Sequence, residues 1–233
     1  MTFNILSTQP KIYNSFLKTG LIARGIDKKI IDLKVFDLHD FASDKHRSID
    51  DSPYGGGAGM VLRVDIIDRA LHDLKAKKSD QNLKIILLTP QGKKFNQKIA
   101  RKLSRKEELV LISGRFEGYD ERIRDLVDEE ISIGDYILID GDVATMVLIE
   151  AISRLVPGFI QTLESLKEES FTNLKIDNCK IENCLEYPQY TRPENYKGKK
   201  VPSILLSGNH QKIADWRLQK SLQKTKRERP DLF

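Results

Sequence analysis

Residues 84–90 read KIILLTP and residues 108–114 read ELVLISG, two short and continuously apolar runs. Each run is too short for a typical helix and lacks the polar alternation of a strand that is exposed on one face. Both are therefore predicted to be strands buried on both faces, a pattern typical of the parallel sheets of α/β proteins. The segment between them, FNQKIARKLSRK (95–106), is predicted to be a helix.

Further elements are predicted on both sides of this pair. Short apolar runs indicate strands, and apolar residues that recur every three or four positions indicate helices. The predicted strands are FNIL (3–6), IIDLKVFDL (30–38) and the region ISIGDYILIDG (131–141), and the predicted helices follow Pro10 (with Ile12, Phe16 and Leu17 on one side), span 64–78 and span 143–156. This alternation of strands and helices predicts an α/β domain with parallel strands.

The chain is predicted to contain two domains and a linker. Pro157 and Gly158 end the α/β pattern, so the first domain is predicted over residues 1–160. The polar segment 161–186 is predicted to be a flexible interdomain linker. A small helical domain is predicted over 187–233. Its main helix runs from His210 to about Arg227, with Ile213, Trp216 and Leu222 as candidate packing residues.

The composition is typical of a globular protein with a mildly basic charge. The formal net charge of +5 weakly favours a polyanionic partner such as nucleic acid. The first residues do not read as a signal peptide, and no run approaches the ~18 apolar residues of a membrane span, so a cytoplasmic protein without a membrane segment is expected. Cys179 and Cys184 lack an accompanying histidine cluster, which favours reduced thiols over zinc.

Three apolar segments are each followed by glycine or proline, in LLTPQG (87–92), LISGRFEGYDER (111–122) and YILIDGD (136–142). Ligands of open α/β sheets bind beyond the carboxyl ends of the strands, so these exits predict a small-molecule pocket. None of them has the pattern of a P-loop or of a dinucleotide-binding strand, glycine loop and helix. The pocket is therefore not expected to be an ordinary ATP or NAD site.

Residues 50–60, DDSPYGGGAGM, place four glycines within five positions. No apolar strand precedes them and no Lys-Ser or Lys-Thr follows, so a phosphate loop is not indicated. A surface loop with His46, Arg47, Asp50 and Asp51 suits contact with RNA, because Arg and His meet phosphates and aspartates accept hydrogen bonds from base edges. A structural turn is equally compatible with the composition, and both interpretations stay open at this point.

The sequence also resembles a known family from its first strand to its C-terminus. The bacterial TrmD-type tRNA (guanine-N1-)-methyltransferases are matched, in order, by DDSPYGGGAGM, LLTPQG, ISGRFEGYDER, EEISIGDYIL, YPQYTRPENY, VPSILLSGNH, IADWR, QKSLQKT and RERPDLF. The resemblance implies methylation of N1 of the guanosine immediately 3′ of the tRNA anticodon, with S-adenosylmethionine as the methyl donor.

The resemblance carries structural expectations as well. It implies a SPOUT α/β domain with a deep trefoil knot over about 85–145, together with a helical C-terminal domain that binds tRNA. Knots are almost absent among folds, so the resemblance alone supports this one. It further implies a homodimer with active sites at the subunit interface. A dependence on magnesium is also implied, although the sequence contains no dedicated metal cluster.

The resemblance implies a role for individual residues of the pocket. The cofactor is expected to rest on the backbone of the three strand exits, with Glu117 near its sulfonium or amino group. The implied cofactor residues are Leu87, Leu88, Thr89, Pro90, Gly114, Glu117, Ser132, Ile133, Gly134, Tyr136, Ile137, Leu138 and Gly141.

Catalysis is expected to need a base and a fixed cation. Neutral guanine N1 carries a proton that a carboxylate can remove, and negative charge then grows toward O6. The resemblance implies Glu169 as the general base, with neighbouring Glu168 as a competing candidate, and Arg154 as the stabilising cation. The implied tRNA-binding residues are His46, Arg47, Asp50, Tyr54, Gly55, Gly59, Tyr190 and Arg192, assisted by the basic C-terminal helix.

Several residues depart from the family pattern. Glu169 stands in place of the usual aspartate, and Asp140, Ala144 and Thr145 stand where Gly, Pro and Ala are usual. Two other functions rival the enzyme described above. One is a non-catalytic RNA-binding protein, which the intact cofactor motifs disfavour. The other is a related SPOUT enzyme acting on ribose 2′-hydroxyls or ribosomal RNA, which the glycine-rich and YPQYTRP motifs disfavour.

Overall fold

The computed structural model of the protein describes residues 1–76, 80–115, 117–160, 169–176 and 179–232. The chain divides into two compact units, Met1–Gln161 and Thr162–Phe233. This division says nothing about the linker and tRNA-binding roles that were expected of the second half, which stay predictions. None of the described helices is long and apolar enough to cross a membrane.

The first unit is built around a five-stranded sheet in which all neighbouring strands are parallel. Across the sheet, the strands are in the order Asp32–Asp37, Thr2–Ser7, Glu108–Ile112, Leu83–Lys94 and Glu129–Ser132. A separate two-stranded ribbon joins Asp50–Asp51 to Val61–Leu62. The elements in chain order are β1 (Thr2–Ser7), α1 (Tyr13–Phe16), α2 (Gly20–Asp27), β2 (Asp32–Asp37), β3 (Asp50–Asp51), β4 (Val61–Leu62), α3 (Val64–Asp73), β5 (Leu83–Lys94), α4 (Gln97–Leu103), β6 (Glu108–Ile112), β7 (Glu129–Ser132) and α5 (Asp142–Ser153), with 3-10 turns at Pro10–Ile12, Leu38–Phe41 and Glu121–Asp125.

The two apolar runs that predicted the fold are neighbours within this sheet, as β5 and β6. Their consecutive side chains point to opposite faces and are buried on both. In β5, Ile86 and Leu88 join the core beneath α4 and α5, whereas Ile85 and Leu87 join the core beneath α3. The expectation of an α/β protein with a parallel sheet is therefore confirmed.

Some predicted elements of the first unit have different bounds in the structure. The helix expected after Pro10 is reduced to a 3-10 turn and the single turn of α1. The helix expected over 64–78 ends at Asp73, because Lys75 adopts a left-handed φ of 53° that no helix continues. Residues 77–79 lie outside the described chain.

The strand region expected over 131–141 ends at Ser132. Its neighbour β5 ends at Lys94, directly opposite Ser132, so the ladder has no partner beyond this point. Ile137 and Ile139 are 82% and 84% exposed, and their apolar character therefore does not reflect burial within the sheet.

The second unit contains two antiparallel pairs and a long helix. The pairs are β8 (Thr172–Ile176) with β9 (Cys179–Cys184) and β10 (Asn195–Tyr196) with β11 (Lys199–Lys200), and the helices are α6 (Ser203–Leu206) and α7 (His210–Glu228). The first pair lies within the segment expected to be a linker. Only two residues separate its strands, and antiparallel strands need no longer connection.

Helix α7 starts at the predicted residue, but its buried positions differ from the expectation. Ile213, Trp216 and Leu222 are only partly buried, whereas Ser221 and Thr225 are buried. Both hydroxyls bind the backbone of Leu185: Ser221 Oγ donates to its carbonyl, and its N–H donates to Thr225 Oγ1 at 2.9 Å. These two hydrogen bonds fix the chain that follows β9 against the helix. Cys184, in β9, is a buried free thiol whose pKa is raised by that burial.

Candidate active site

The carboxyl ends of β5, β6 and β7 open into one cavity of about 560 Å³. This volume falls within the range of about 300–1,000 Å³ that is usual for small-molecule sites. Every residue that the sequence assigned to the cofactor lines this cavity. Further residues that were not individually assigned to the cofactor also line the cavity, and most of them belong to the three strand exits that predicted the pocket: Gln91, Arg115, Gly118, Tyr119, Asp120, Glu121, Arg124, Glu130, Ile131, Ile139, Asp140 and Ala144.

The exit of β5 is shaped by a break in its ladder. The register of the pairing with β7 shifts between Leu88 and Lys93, and Thr89, Pro90 and Gln91 within this irregular stretch line the cavity. Gly92 lies against the backbone of β7: a Cβ built on it would come within 2.5 Å of the Ile131 nitrogen. Only glycine fits there, which explains the glycine of the LLTPQG motif.

Tyr119 connects the exits of β5 and β6. Its hydroxyl donates a hydrogen bond of 2.9 Å to the Leu88 carbonyl. Its ring occupies the space beside Gly114, where an added Cβ would lie 2.4 Å from the ring. Burial of this ring raises the pKa of the phenol above its usual value, so the hydroxyl stays protonated as a donor.

The third exit loop is joined to β6 by a buried carboxyl group. Asp142 is fully buried at the start of α5, and its Oδ1 accepts hydrogen bonds from Ser113 Oγ at 2.6 Å and from the Tyr13 hydroxyl at 2.8 Å. The Gly141 N–H donates to the Gly114 carbonyl at 2.8 Å. Burial raises the pKa of Asp142 above its usual range. Its Oδ2 has no hydrogen-bond partner within the described part of the chain.

The glycine-rich segment forms the end of the β3–β4 ribbon and lies beside the cavity. The Glu117 N–H donates to the Met60 carbonyl and the Leu62 N–H to the Gly118 carbonyl, both at 3.0 Å. These bonds tie the ribbon to the exit loop of β6. The tip itself is exposed, and Tyr54 is fully so. The segment is thus a surface ribbon attached to the pocket wall and not an isolated turn.

The remaining residues predicted to bind tRNA fall into two groups. His46 and Arg47 are exposed in the loop before β3, where Arg47 forms an ion pair with Asp40 and donates to the His39 carbonyl at 3.2 Å. Asp50 is partly buried within β3, while Gly55 and Gly59 are exposed at the ribbon tip. In the second unit Tyr190 is half exposed beside Trp216, with ring centroids 6.5 Å apart, and Arg192 is exposed.

The two residues predicted to act in catalysis belong to different units. Arg154 is partly buried at the C-terminal end of α5, and Glu169 is the first described residue of the second unit. Each takes part in further interactions within the chain. Glu168, the competing candidate, lies outside the described residues. The pairing of Glu169 with Arg154 stays a prediction.

Fold and site together define an α/β protein with a small-molecule pocket at the carboxyl edge of a parallel sheet. Comparison with known proteins identifies the family. The family model described as tRNA (Guanine-1)-methyltransferase TrmD matches residues 1–233, and the chain belongs to this family. The resemblance predicted from the ordered motifs is therefore confirmed.

Curated relatives support the family match, because each of them aligns with the whole of this chain. A protein of Mycoplasmopsis synoviae (strain 53) is 47% identical over 233 residues, covering 100% of this chain and 97% of the relative. One of Clostridioides difficile (strain 630) is 43% identical over 234 residues with the same coverage, and one of Dictyoglomus turgidum is 45% identical and covered to 90%. All three are named tRNA (guanine-N(1)-)-methyltransferase.

Proposed function

We propose that this protein transfers the methyl group of S-adenosylmethionine to N1 of the guanosine immediately 3′ of the anticodon in tRNA. The observation that carries the proposal is the single cavity that unites every residue expected to hold the cofactor, in a chain whose family match covers residues 1–233. The rival of a non-catalytic RNA-binding protein leaves this cavity without a purpose. The whole-length match to guanine-N1 enzymes disfavours the rival of ribose methylation.

The cavity suits the proposed cofactor in shape and chemistry. Gly114 and Gly141 line it, and little room remains beside either glycine for a side chain. The backbone of 133–138 would read the adenine ring through its N–H and C=O groups, and Glu117 would face the positive end of the cofactor. When bound, S-adenosylmethionine supplies an electrophilic methyl group on its sulfonium.

The chain's own residues would supply the proton chemistry. Glu169 would take the N1 proton of guanine as the methyl group arrives, because neutral N1 is a poor nucleophile. Arg154 would stabilise the negative charge that develops toward O6. Substitution of glutamate for the usual aspartate lengthens the side chain by one methylene and keeps the carboxylate.

The tRNA would meet basic and aromatic groups from both units. In the first, the exposed ribbon tip lies beside the cavity wall, and Asp50, which is partly buried in β3, would read the nucleotide before the target. In the second, Tyr190, Arg192 and α7 would hold the anticodon loop, from which the target base must leave its stack. The β10–β11 hairpin adds the exposed side chains of Tyr196, Lys197, Lys199 and Lys200.

A homodimer is supported by apolar side chains left exposed in the first unit. Val143 and Val147, one turn apart on α5, are 49% and 42% exposed, and Ile137 and Ile139 of the preceding loop are more exposed still. Monomeric proteins rarely leave such clusters uncovered, so a second copy of the chain would bury these residues beside the pocket.

A trefoil knot is supported by the course of the chain after β7. That strand lies at the sheet edge beside β5, yet the chain returns past β5 until Gly141 bonds to Gly114 at the exit of β6. Helix α5 then contacts β1.

Magnesium would act without a dedicated protein site. The enzyme would work in the cytoplasm, where tRNA is its substrate.

A methyl-transfer assay tests the function. The protein is incubated with labelled S-adenosylmethionine and with tRNA transcripts carrying guanosine or another base beside the anticodon. Methylation at N1 blocks Watson–Crick pairing, so label transfer is expected together with a reverse-transcriptase stop at that guanosine alone. Equal transfer to both transcripts contradicts the specificity, and transfer without a stop points to ribose methylation instead.

A further inference from the structure

A buried group of hydroxyl and carboxyl side chains lies behind the cavity and is not used by the proposed chemistry. It consists of Tyr13, Ser113 and Asp142, which are 0%, 1% and 0% exposed. Tyr13 begins α1, Ser113 follows β6 and Asp142 begins α5, so one carboxyl group joins three separate parts of the chain. None of the three side chains belongs to the cavity lining.

Burial of the Asp142 carboxyl group is energetically unfavourable. No ion pair joins Asp142 to a basic side chain among the described residues, and its Oδ2 lacks a hydrogen-bond partner there. A buried carboxyl group without a cation is unfavourable compared with an apolar side chain of similar size. Hydrogen bonds from two hydroxyls offset only part of this cost. In some proteins, buried polar groups of this kind are retained because they fix one conformation of the chain.

The geometry that it fixes is the separation of two cavity walls. Gly114, directly after Ser113, and Gly141, directly before Asp142, both line the cavity. The Gly141 N–H bonds the Gly114 carbonyl at 2.8 Å, and a Cβ built on Gly141 would lie 3.2 Å from Ser113 Oγ. The Ser113–Asp142 hydrogen bond thus runs beside the backbone contact that brings the two loops together.

We propose that Tyr13, Ser113 and Asp142 are positioning residues that hold the exit loop of β6 against the loop before α5 in the geometry that the cofactor requires. They act through Gly114 and Gly141 and do not touch the ligand. The proposal rests on the proposed function, because it takes S-adenosylmethionine as the ligand of the cavity.

Ser113→Ala and Tyr13→Phe test this role, since each removes one hydroxyl and leaves the carboxyl group in place. The affinity for S-adenosylhomocysteine is measured by calorimetry, and kcat is measured at saturating S-adenosylmethionine and tRNA. Each variant is expected to weaken cofactor binding about fivefold or more while kcat changes less than about twofold. The double variant is expected to show less than the sum of the two effects, because both hydroxyls serve one carboxyl group.

Ser153→Ala is the matched control. It removes a buried hydroxyl from the same helix, α5, but Ser153 Oγ has no hydrogen-bond partner among the described residues. Cofactor affinity is expected to stay unchanged in this variant. If Ser113→Ala and Tyr13→Phe lower the thermal midpoint but bind cofactor as tightly as the wild type and Ser153→Ala, the group is merely structural and the proposal is overturned.

Asp142 itself is tested by two substitutions of different severity. Asp142→Asn keeps an oxygen that accepts from both hydroxyls, whereas Asp142→Ala removes the acceptor. Cofactor affinity is expected to be retained better by the first, and equal affinities in folded variants contradict the proposal. Should Asp142→Ala not fold, the hydroxyl variants decide. If the wild-type protein itself does not bind the cofactor, the proposed function is overturned. This outcome differs from failure of the positioning proposal, which concerns only the variants.

Discussion

Gly59 and Glu117 pack so closely that a Cβ built on the glycine would lie 2.3 Å from Glu117 Cγ. The adjacent Met60 carbonyl accepts from the Glu117 N–H at 3.0 Å. The glycine-rich ribbon therefore touches the pocket through a residue that also lines the cavity. This contact explains why residue 59 is a glycine: any side chain there would occupy the space of the Glu117 side chain.

Gly59→Ala is expected to displace the Glu117 side chain from the cavity wall. Because a side chain yields more easily than backbone, the fold should survive while kcat/KM for methyl transfer falls about tenfold or more. Gly56→Ala is the matched control. Gly56 and Gly59 have φ values of 79° and 78°, so both variants carry the same backbone strain of about 1–2 kcal/mol. Nothing lies within 4 Å of a Cβ on Gly56. Equal activity of both variants contradicts a role for the Glu117 contact.

Asp142 is expected to make stability depend on pH. Burial raises its pKa in the folded protein, the nearby Asp140 carboxylate adds to this, and hydrogen bonds from Ser113 and Tyr13 oppose it. Since the folded pKa lies above the unfolded value of about 3.9, the neutral form stabilises the fold and this stability is lost as the pH rises through the folded pKa.

Urea unfolding of the wild type and Asp142→Asn across pH measures this effect. The free energy of unfolding of the wild type should fall relative to the variant as the pH rises above about 4, and the difference should level off above the folded pKa. The variant carries a neutral side chain of the same shape and is expected to lack this component. Parallel curves across the whole range contradict a raised pKa at Asp142.

Glu169→Gln is expected to abolish most turnover without loss of cofactor binding. The substitution removes the proposed base and keeps the side-chain length, so single-turnover methyl transfer should fall about 100-fold or more. Glu194→Gln, the same change at an exposed position of the second unit, should remain active. Near-normal transfer by Glu169→Gln would move the role of base to Glu168 or elsewhere.

The sequence predicts the centre of this fold better than the connections that complete the pocket. The continuous apolar runs of β5 and β6 identify strands buried on both faces, because a strand with one face in water would carry polar side chains at alternate positions. The apolar residues around Ile137 gave the opposite result: they resemble a strand but stand exposed in a loop. Local pattern cannot separate these cases, since the difference depends on whether a neighbouring strand continues.

The contacts between exits were also beyond prediction. Tyr119 reaches the Leu88 carbonyl across 31 positions of the chain, and Asp142 reaches Tyr13 across 129. Periodicity carries no signal for a hydrogen bond between such distant residues. The residues implied by the family motifs could be predicted to share a cavity because the motifs follow strand exits, and parallel exits meet at one sheet edge.

The β10–β11 hairpin presents a compact basic surface in the second unit. Lys197 and Gly198 have φ values of 50° and 82°, which form a tight turn, and the Gly198 N–H donates to Asn195 Oδ1 at 3.0 Å. Three lysines within four positions, Lys197, Lys199 and Lys200, are exposed, and none forms an ion pair among the described residues. Tyr196 is 60% exposed with the Lys197 ammonium 5.5 Å from its ring centroid. Cations beside an exposed ring suit RNA phosphates and bases.

Replacement of Lys197, Lys199 and Lys200 by Gln is expected to weaken tRNA binding through the phosphate backbone. Each phosphate contact adds close to one to the slope of log K against log salt, so the slope should decrease by about two to three. Turnover at saturating tRNA should change little, because the hairpin takes no part in the proposed chemistry. Lys18, Lys28 and Lys98, exposed in the first unit, provide a control triple Gln variant with the same change in net charge. A salt slope that falls equally in both triple variants reports net charge alone, and only a selective loss in the hairpin variant assigns the phosphate contact to it.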